Sequence, residues 1–133
     1  MTFLDSSAII DYLDGDRPVV RFVDEKTEPP YLTASLCVYE VLMGAVHAAG
    51  GTDVDGTRAE FGWVSAVDVT ESVAVESARL QRTLSESGAV LSPRDALVAG
   101  AARSTGHRLV ATDDDFDDEP LRRVLDVARP ARG

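Results

Sequence analysis

The residues best placed to do chemistry are acids in positions where an acid is out of character. The chain has 23 Asp and Glu among 133 residues, so an acid in a loop says little. An acid inside an apolar segment says more, because an unpaired buried carboxylate is costly or takes up a proton. Asp5 closes T-F-L-D and opens S-S-A-I-I. Glu40 is the only acid between Ser35 and Ala49, among Leu36, Val38, Tyr39, Val41, Leu42 and Met43. Asp95 opens D-A-L-V-A-G-A-A, and Asp113 follows L-V-A-T, with Asp115 two residues on. Each also has an ordinary explanation. Asp5 suits a helix N-cap. Glu40 suits pairing with an arginine. Asp95, three residues after Ser92, suits a capping-box-like helix start. Asp113 and Asp115 suit caps or turns.

The combination points further than its members. Asp5 and Asp113 both end short apolar segments that read as parallel strands. If those strands are neighbours, they lie about 4.8 Å apart and their carboxylates approach each other. Two carboxylates about 4 Å apart repel by roughly 4 kcal/mol at an effective dielectric near 20. A divalent cation reverses the sign of that interaction. An all-oxygen set without His or Cys suits Mg²⁺ or Mn²⁺ and points to phosphoryl chemistry. The hydroxyls of Ser6, Ser7 and Thr112 are placed to hold water at such a centre, or to serve as turn and cap hydrogen bonds. Arg94, beside Asp95, is placed to contact a phosphate or to remain a solvated helix-start residue, as do Arg103 and Arg108. His47 and His107 have no ligand spacing. Cys37 reads as a small core side chain, and Phe61 and Trp63 as one apolar helix face.

The elements that must position these residues alternate between strand and helix. Strands are expected at 2–5, 31–33, 67–69 and 108–112, with an edge strand at 124–127. Helices are expected at 6–14 with Gly15 as stop, 18–26 before Pro29-Pro30, 35–49 capped by Ser35 and stopped at Gly50-Gly51, 58–66, 71–87 capped by Thr70 and stopped at Gly88, and 93–106 capped by Ser92. Thr52 to Gly56 reads as a polar turn and 113–119 as an acidic one. Strands separated by helices imply a parallel sheet covered on both faces, with ligands beyond the carboxyl ends of the strands. No linker divides the chain, so residues 1–133 read as one domain, with a loose tail from about 129.

Composition narrows the class. No apolar run approaches the 18 or so residues of a membrane span, and no basic-then-apolar leader begins the chain. A single Cys rules out an internal disulfide and a Cys-rich zinc site, and the chain reads as cytoplasmic. The net charge is −10, with 12 Arg and only one Lys, Lys26. An acidic surface poor in Lys fits a salt-adapted source, and a GC-rich genome also explains the missing Lys. Such a surface argues against a general electrostatic nucleic-acid binder, though not against an enzyme gripping a polyanion through metal ions and a few Arg.

F-L-D-S-S-A-I-I, V-Y-E-V-L-M-G-A, S-P-R-D-A-L-V-A-G-A-A and L-V-A-T-D-D-D-F, in that order over nearly the whole chain, resemble the PIN-domain nucleases, and in particular the VapC-like toxins of type II toxin–antitoxin pairs. The resemblance implies a three-layer α/β/α fold with a central parallel sheet and Mg²⁺-dependent endoribonuclease activity. It places Asp5, Glu40, Asp95 and Asp113 as catalytic acids. It also makes Asp5, Asp95, Asp113 and Asp115 metal ligands, Glu40 assisting as ligand or as orienter of the attacking water. Asp114 lies between two of these acids, where the family often carries a basic or polar residue. Hydrolysis would proceed by in-line attack of a metal-held hydroxide on the RNA phosphodiester, with Ser6 and Thr112 in support and Arg94 against the RNA. The implied partners are RNA, a cognate antitoxin that wraps the toxin and occludes the acidic pocket, often with a basic side chain, and a second copy in a homodimer. The competing reading is a non-catalytic PIN-like interaction protein that binds a small partner without turnover. Haloacid-dehalogenase-like phosphatases and receiver domains fit less well: Ser7 stands where the former need a second Asp, and Lys26 sits in neither family's lysine context.

Overall fold

The computed structural model describes residues 1–48 and 53–133. The elements run β1 (Thr2–Leu4), α1 (Ser6–Leu13), α2 (Arg17–Lys26), β2 (Tyr31–Ala34), α3 (Ser35–Val46), α4 (Val54–Glu60), β3 (Val64–Val67), α5 (Glu71–Ser85), α6 (Pro93–Thr105), β4 (Arg108–Val110), α7 (Glu119–Arg122) and β5 (Val127–Ala128). All five strands pair in parallel, in the order β3-β2-β1-β4-β5. The first strand is therefore the centre of the sheet. β1 and β4 are neighbours, as the acid argument required, with Leu4 opposite Val110.

Apolar side chains alternate across the sheet and fill two cores. Phe3 and Leu109 face the layer that contains Leu80, Leu84, Val98 and Ala102 of α5 and α6. Leu4 and Val110 face the layer that contains Ala8 and Ile9 of α1, Val41 of α3 and Phe61. Burial on both faces is what an all-parallel sheet requires. The result is the three-layer α/β/α arrangement expected from the sequence. The α5–α6 contact is close enough to need glycine: a Cβ on Gly100 would lie 2.0 Å from Ser77 Oγ and 2.9 Å from Ser77 Cα. No helix among the described residues is long and apolar enough to cross a membrane.

Several expectations shift. The helix expected at 58–66 lies earlier, at α4, because Asp53 accepts the Gly56 amide and starts it there. The strand expected at 67–69 is β3, and the edge strand expected at 124–127 is β5. Phe61 and Trp63 do not share a helix face. Phe61 is buried at the end of α4, whereas Trp63 packs against Tyr12 at a tilt and Tyr31 edge-on, with centroids 5.0 and 5.2 Å apart. Ser35 is not a cap: α3 begins directly from β2, with Ala34 at the N-cap and no side-chain cap bond. Nor is α3 buried on nearly every side. Cys37 and Val41 are buried, while Tyr39 is 64% exposed and Val46 41%. The expected stop at Gly50-Gly51 and the start of the turn at Thr52 lie outside the described residues. Residues 129–133, expected to be loose, are tied down. Arg129 Nη1 lies 2.7 Å from Asp117 Oδ2, Arg132 Nε 2.6 Å from Asp11 Oδ2, and the Gly133 amide 3.1 Å from Asp16 Oδ1.

Candidate active site

The carboxyl ends of β1 and β4 and the start of α6 face α3, and there the acids meet. Asp5 follows β1 directly. Its amide donates to Val110 O at 2.9 Å, so the ladder carries it into place beside β4. Its side chain is fully buried, at 0% exposure. Oδ2 accepts the Ser7 hydroxyl at 2.6 Å and the Ser7 amide at 3.2 Å, which makes Asp5 the N-cap of α1. The Ser7 oxygen in turn accepts the Thr112 amide at 3.1 Å, joining the ends of the two strands. Asp5 Oδ1 faces Arg94 Nη2 at 2.7 Å.

Arg94 connects three of the acids. Its Nη2 also lies 2.6 Å from Glu40 Oε1 and 2.8 Å from Ser6 Oγ; Nε lies 2.9 Å from Glu40 Oε2, and Nη1 2.9 Å from Asp95 Oδ1. One guanidinium thus holds β1, α3 and α6 together by their carboxylates. Burial alone would raise the Glu40 carboxyl, but the hydrogen bonds and charge of Arg94 outweigh it, with help from Ser6, and hold it below the usual range. Burial would lower the Arg94 guanidinium, and Glu40, Asp5 and Asp95 drive it further up instead.

Asp113 and Asp115 are placed differently. Neither lies within ion-pairing distance of a basic side chain among the described residues. Asp113 Oδ1 accepts the Asp115 amide at 3.2 Å. Burial, and then the negative charge of Asp5, push the Asp113 carboxyl up to about 6. Asp115 is also raised, by burial and then by Asp95. Mutual repulsion of this kind shows that the acids share one field.

Every ordinary explanation offered for the single acids therefore holds in part. Asp5 caps a helix, Glu40 has an arginine, Ser92 Oγ accepts the Asp95 amide at 3.1 Å, and Asp113 closes a turn. They converge all the same: five carboxylates share one region with one guanidinium. The donor chemistry, all carboxylate oxygen with excess negative charge, is that of a hard divalent cation. With Arg94 between Asp5, Glu40 and Asp95, no three acid, imidazole or thiol groups among the described residues are disposed to hold a metal ion.

Of the supporting residues, Ser6 donates to Glu40 Oε1 at 3.0 Å and so belongs to the cluster. Thr112 Oγ1 bonds Asp11 Oδ2 instead, together with Arg132 Nη2. Arg94 is not the freely solvated residue expected: it is 28% exposed, and each of its guanidinium nitrogens is held by a carboxylate. Arg103 pairs with Glu76 and Arg108 with Asp126. His47 ends α3 and His107 contacts Thr105 O. Three participants had no clear sequence signal. Cys37 Sγ lies 3.8 Å from Asp5 Oδ1, and burial followed by the Asp5 charge pushes its thiol up to about 12. Asp11 and Arg132 form the adjoining pair, linking α1 to the end of the chain.

A family model described as PIN domain matches residues 2–119. Among solved structures, the chain superposes on FitAcB from Neisseria gonorrhoeae with a TM-score of 0.77 at 18% identity, covering 96% of each chain. VapBC-5 from Mycobacterium tuberculosis, of the VapBC family of toxin–antitoxin systems, gives 0.63 at 26% identity over 96% of this chain and 95% of the other. Mycobacterium tuberculosis VapC20, described as a sarcin-ricin loop cleaving toxin, gives 0.66 at 19% identity over 98% and 100%. No curated protein matches the sequence.

Proposed function

The chain belongs to the PIN-domain family, and on that premise we propose that it is a Mg²⁺-dependent endoribonuclease, the toxin of a type II toxin–antitoxin pair. The observation that carries the reading is the convergence of Asp5, Glu40, Asp95, Asp113 and Asp115 beyond the ends of the central strands, with more negative charge than Arg94 balances. Asp5, Asp95, Asp113 and Asp115 would hold Mg²⁺ or Mn²⁺. Such an ion supplies neutralisation of the phosphate and activation of water for in-line hydrolysis.

The chain's own residues do the positioning. Ser7 fixes Asp5 from one side and the Thr112 amide fixes Ser7, so the central carboxylate has one orientation. Ser6 holds Glu40, which orients the attacking water. The acidic surface repels RNA in general, so cleavage is confined to a structured target. The RNA loop named for the Mycobacterium tuberculosis relative is the first substrate to try. The partners on this reading are RNA, a cognate antitoxin and a second copy of the chain, acting in the cytoplasm.

The test is cleavage of RNA by purified protein with Mg²⁺ or Mn²⁺, with EDTA and with Asp5→Ala. Metal-dependent cleavage lost in Asp5→Ala, with the far-UV circular dichroism retained, supports it; cleavage that survives the substitution refutes it. The contacts of Arg94 favour one second reading, in which the acids serve only as a scaffold and the chain binds a small partner without turnover. That reading expects no cleavage of any RNA under any metal.

A further inference from the structure

Arg94 stands at the wrong end of its helix for a cation. It follows Pro93 in the first turn of α6, where the exposed amides favour anions. Its own helix contributes only Asp95 to hold it. The rest of its side chain crosses to α3 and to the end of β1, and every guanidinium nitrogen is engaged. A guanidinium offers five N–H donors and no acceptor. Here those donors meet three carboxylates and one hydroxyl.

The same contacts use the oxygens that a metal ion would need. Asp5 Oδ1 faces Arg94, and Asp5 Oδ2 already accepts two hydrogen bonds from Ser7. Both oxygens of Glu40 face Arg94, and so does Oδ1 of Asp95. Mg²⁺ takes its oxygens at about 2.0–2.1 Å, inside the distance at which a guanidinium contacts them. The two cations cannot share the inner faces of these carboxylates. We propose that Arg94 is a built-in counter-ion that competes with the divalent cation for Asp5, Glu40 and Asp95, so that cation entry requires the guanidinium to move out. This rests on the metal-dependent reading above. The arginine has a way out, since its side chain is 28% exposed. Asp113 and Asp115 lie outside its ion pairs and offer an incoming cation a first foothold.

The competition sets how much metal the protein needs. The apparent affinity is the intrinsic affinity scaled by the fraction of molecules whose guanidinium is displaced. The experiment is Mn²⁺ titration into the EDTA-stripped full chain by calorimetry, for wild type, Arg94→Gln and Arg94→Lys. We expect Arg94→Gln to bind Mn²⁺ on the order of tenfold or more tightly than wild type, with Arg94→Lys in between. Guanidinium ion added at sub-denaturing concentration then weakens Mn²⁺ binding to Arg94→Gln and leaves wild type unchanged. If Arg94→Gln does not fold, the comparison of Arg94→Lys with wild type decides the matter. Mn²⁺ binding that is no tighter in either variant than in wild type overturns the competition alone, since the metal reading then stands. Absence of Mn²⁺ binding from all three proteins overturns the metal reading and the competition with it.

Discussion

Asp5 and Arg94 are 89 positions apart in the chain and 2.7 Å apart in the fold. The contact ties the central strand to the start of α6 inside the protein, where a lone charge would be costly. Arg94 does not depend on Asp5, because Glu40 and Asp95 also hold it. Loss of the Asp5 charge therefore leaves no orphaned cation.

The separate contribution of Asp5 as an N-cap follows from that. Asn caps a helix about as well as Asp, whereas Ala costs about 1 kcal/mol. Asp5→Ala should be less stable than Asp5→Asn by about 1–2 kcal/mol, since the Ser7 hydroxyl also loses its acceptor. Urea denaturation followed by circular dichroism measures the gap, and equal stabilities would contradict it.

Asp113 makes the metal-free protein pH-sensitive in a defined direction. Its folded carboxyl sits at about 6, above the ordinary value of 3.8, so the folded chain binds the proton more tightly than the unfolded one. The stability this adds is complete below about pH 4 and is lost as pH rises through about 6. In EDTA, wild type should gain melting temperature relative to Asp113→Asn on going from about pH 7 to about pH 5. Glu40, held low by Arg94, loses its contribution only below the ordinary carboxylate range, outside this window. A difference between the two proteins that does not change with pH would refute the assignment.

Two helical glycines should respond to alanine with opposite signs. A Cβ on Gly44 in α3 meets nothing within 4 Å. Gly44→Ala should gain up to about 1 kcal/mol from helix propensity and reduced chain entropy. Gly100→Ala drives its methyl into Ser77, backbone included, and overpacking of that kind costs about 1–3 kcal/mol. Chemical denaturation of both variants reads the signs directly.

The Cys37 thiol is buried beside Asp5 and pushed up to about 12, so almost none of it is thiolate near neutral pH. Iodoacetamide should leave it unmodified in the native protein and alkylate it in urea. Mass spectrometry reads the adduct, and rapid native labelling would show that the pocket opens.

The acids were legible in the sequence because an acid in an apolar setting is rare and its setting can be read without coordinates. Asp5 after F-L and Asp113 after L-V-A-T announce strand ends, and strand ends gather in a parallel sheet. Arg94 was visible as a neighbour of Asp95, but not as the residue that binds Asp5 and Glu40. The direction of a long flexible side chain depends on partners 54 and 89 positions away. The contact between Arg132 and Asp11 was hidden for the same reason, at a separation of 121. The burial of α3 was overstated because an apolar surface and an apolar core have the same composition. Tyr39 and Val46 lie on the surface although their neighbours in sequence are apolar too.

The order of the strands has a consequence for synthesis. Residues 2–4 are synthesised long before one of their two partners, residues 108–110. Translation at about 5–20 residues per second keeps the two apart for roughly 5–20 seconds, and such distant pairings close slowly. A nascent chain that still lacks α6 and β4 has only one of the two neighbours of its central strand and is missing three of the five acids. Anything that depends on all five acids therefore waits until Asp115 has been made.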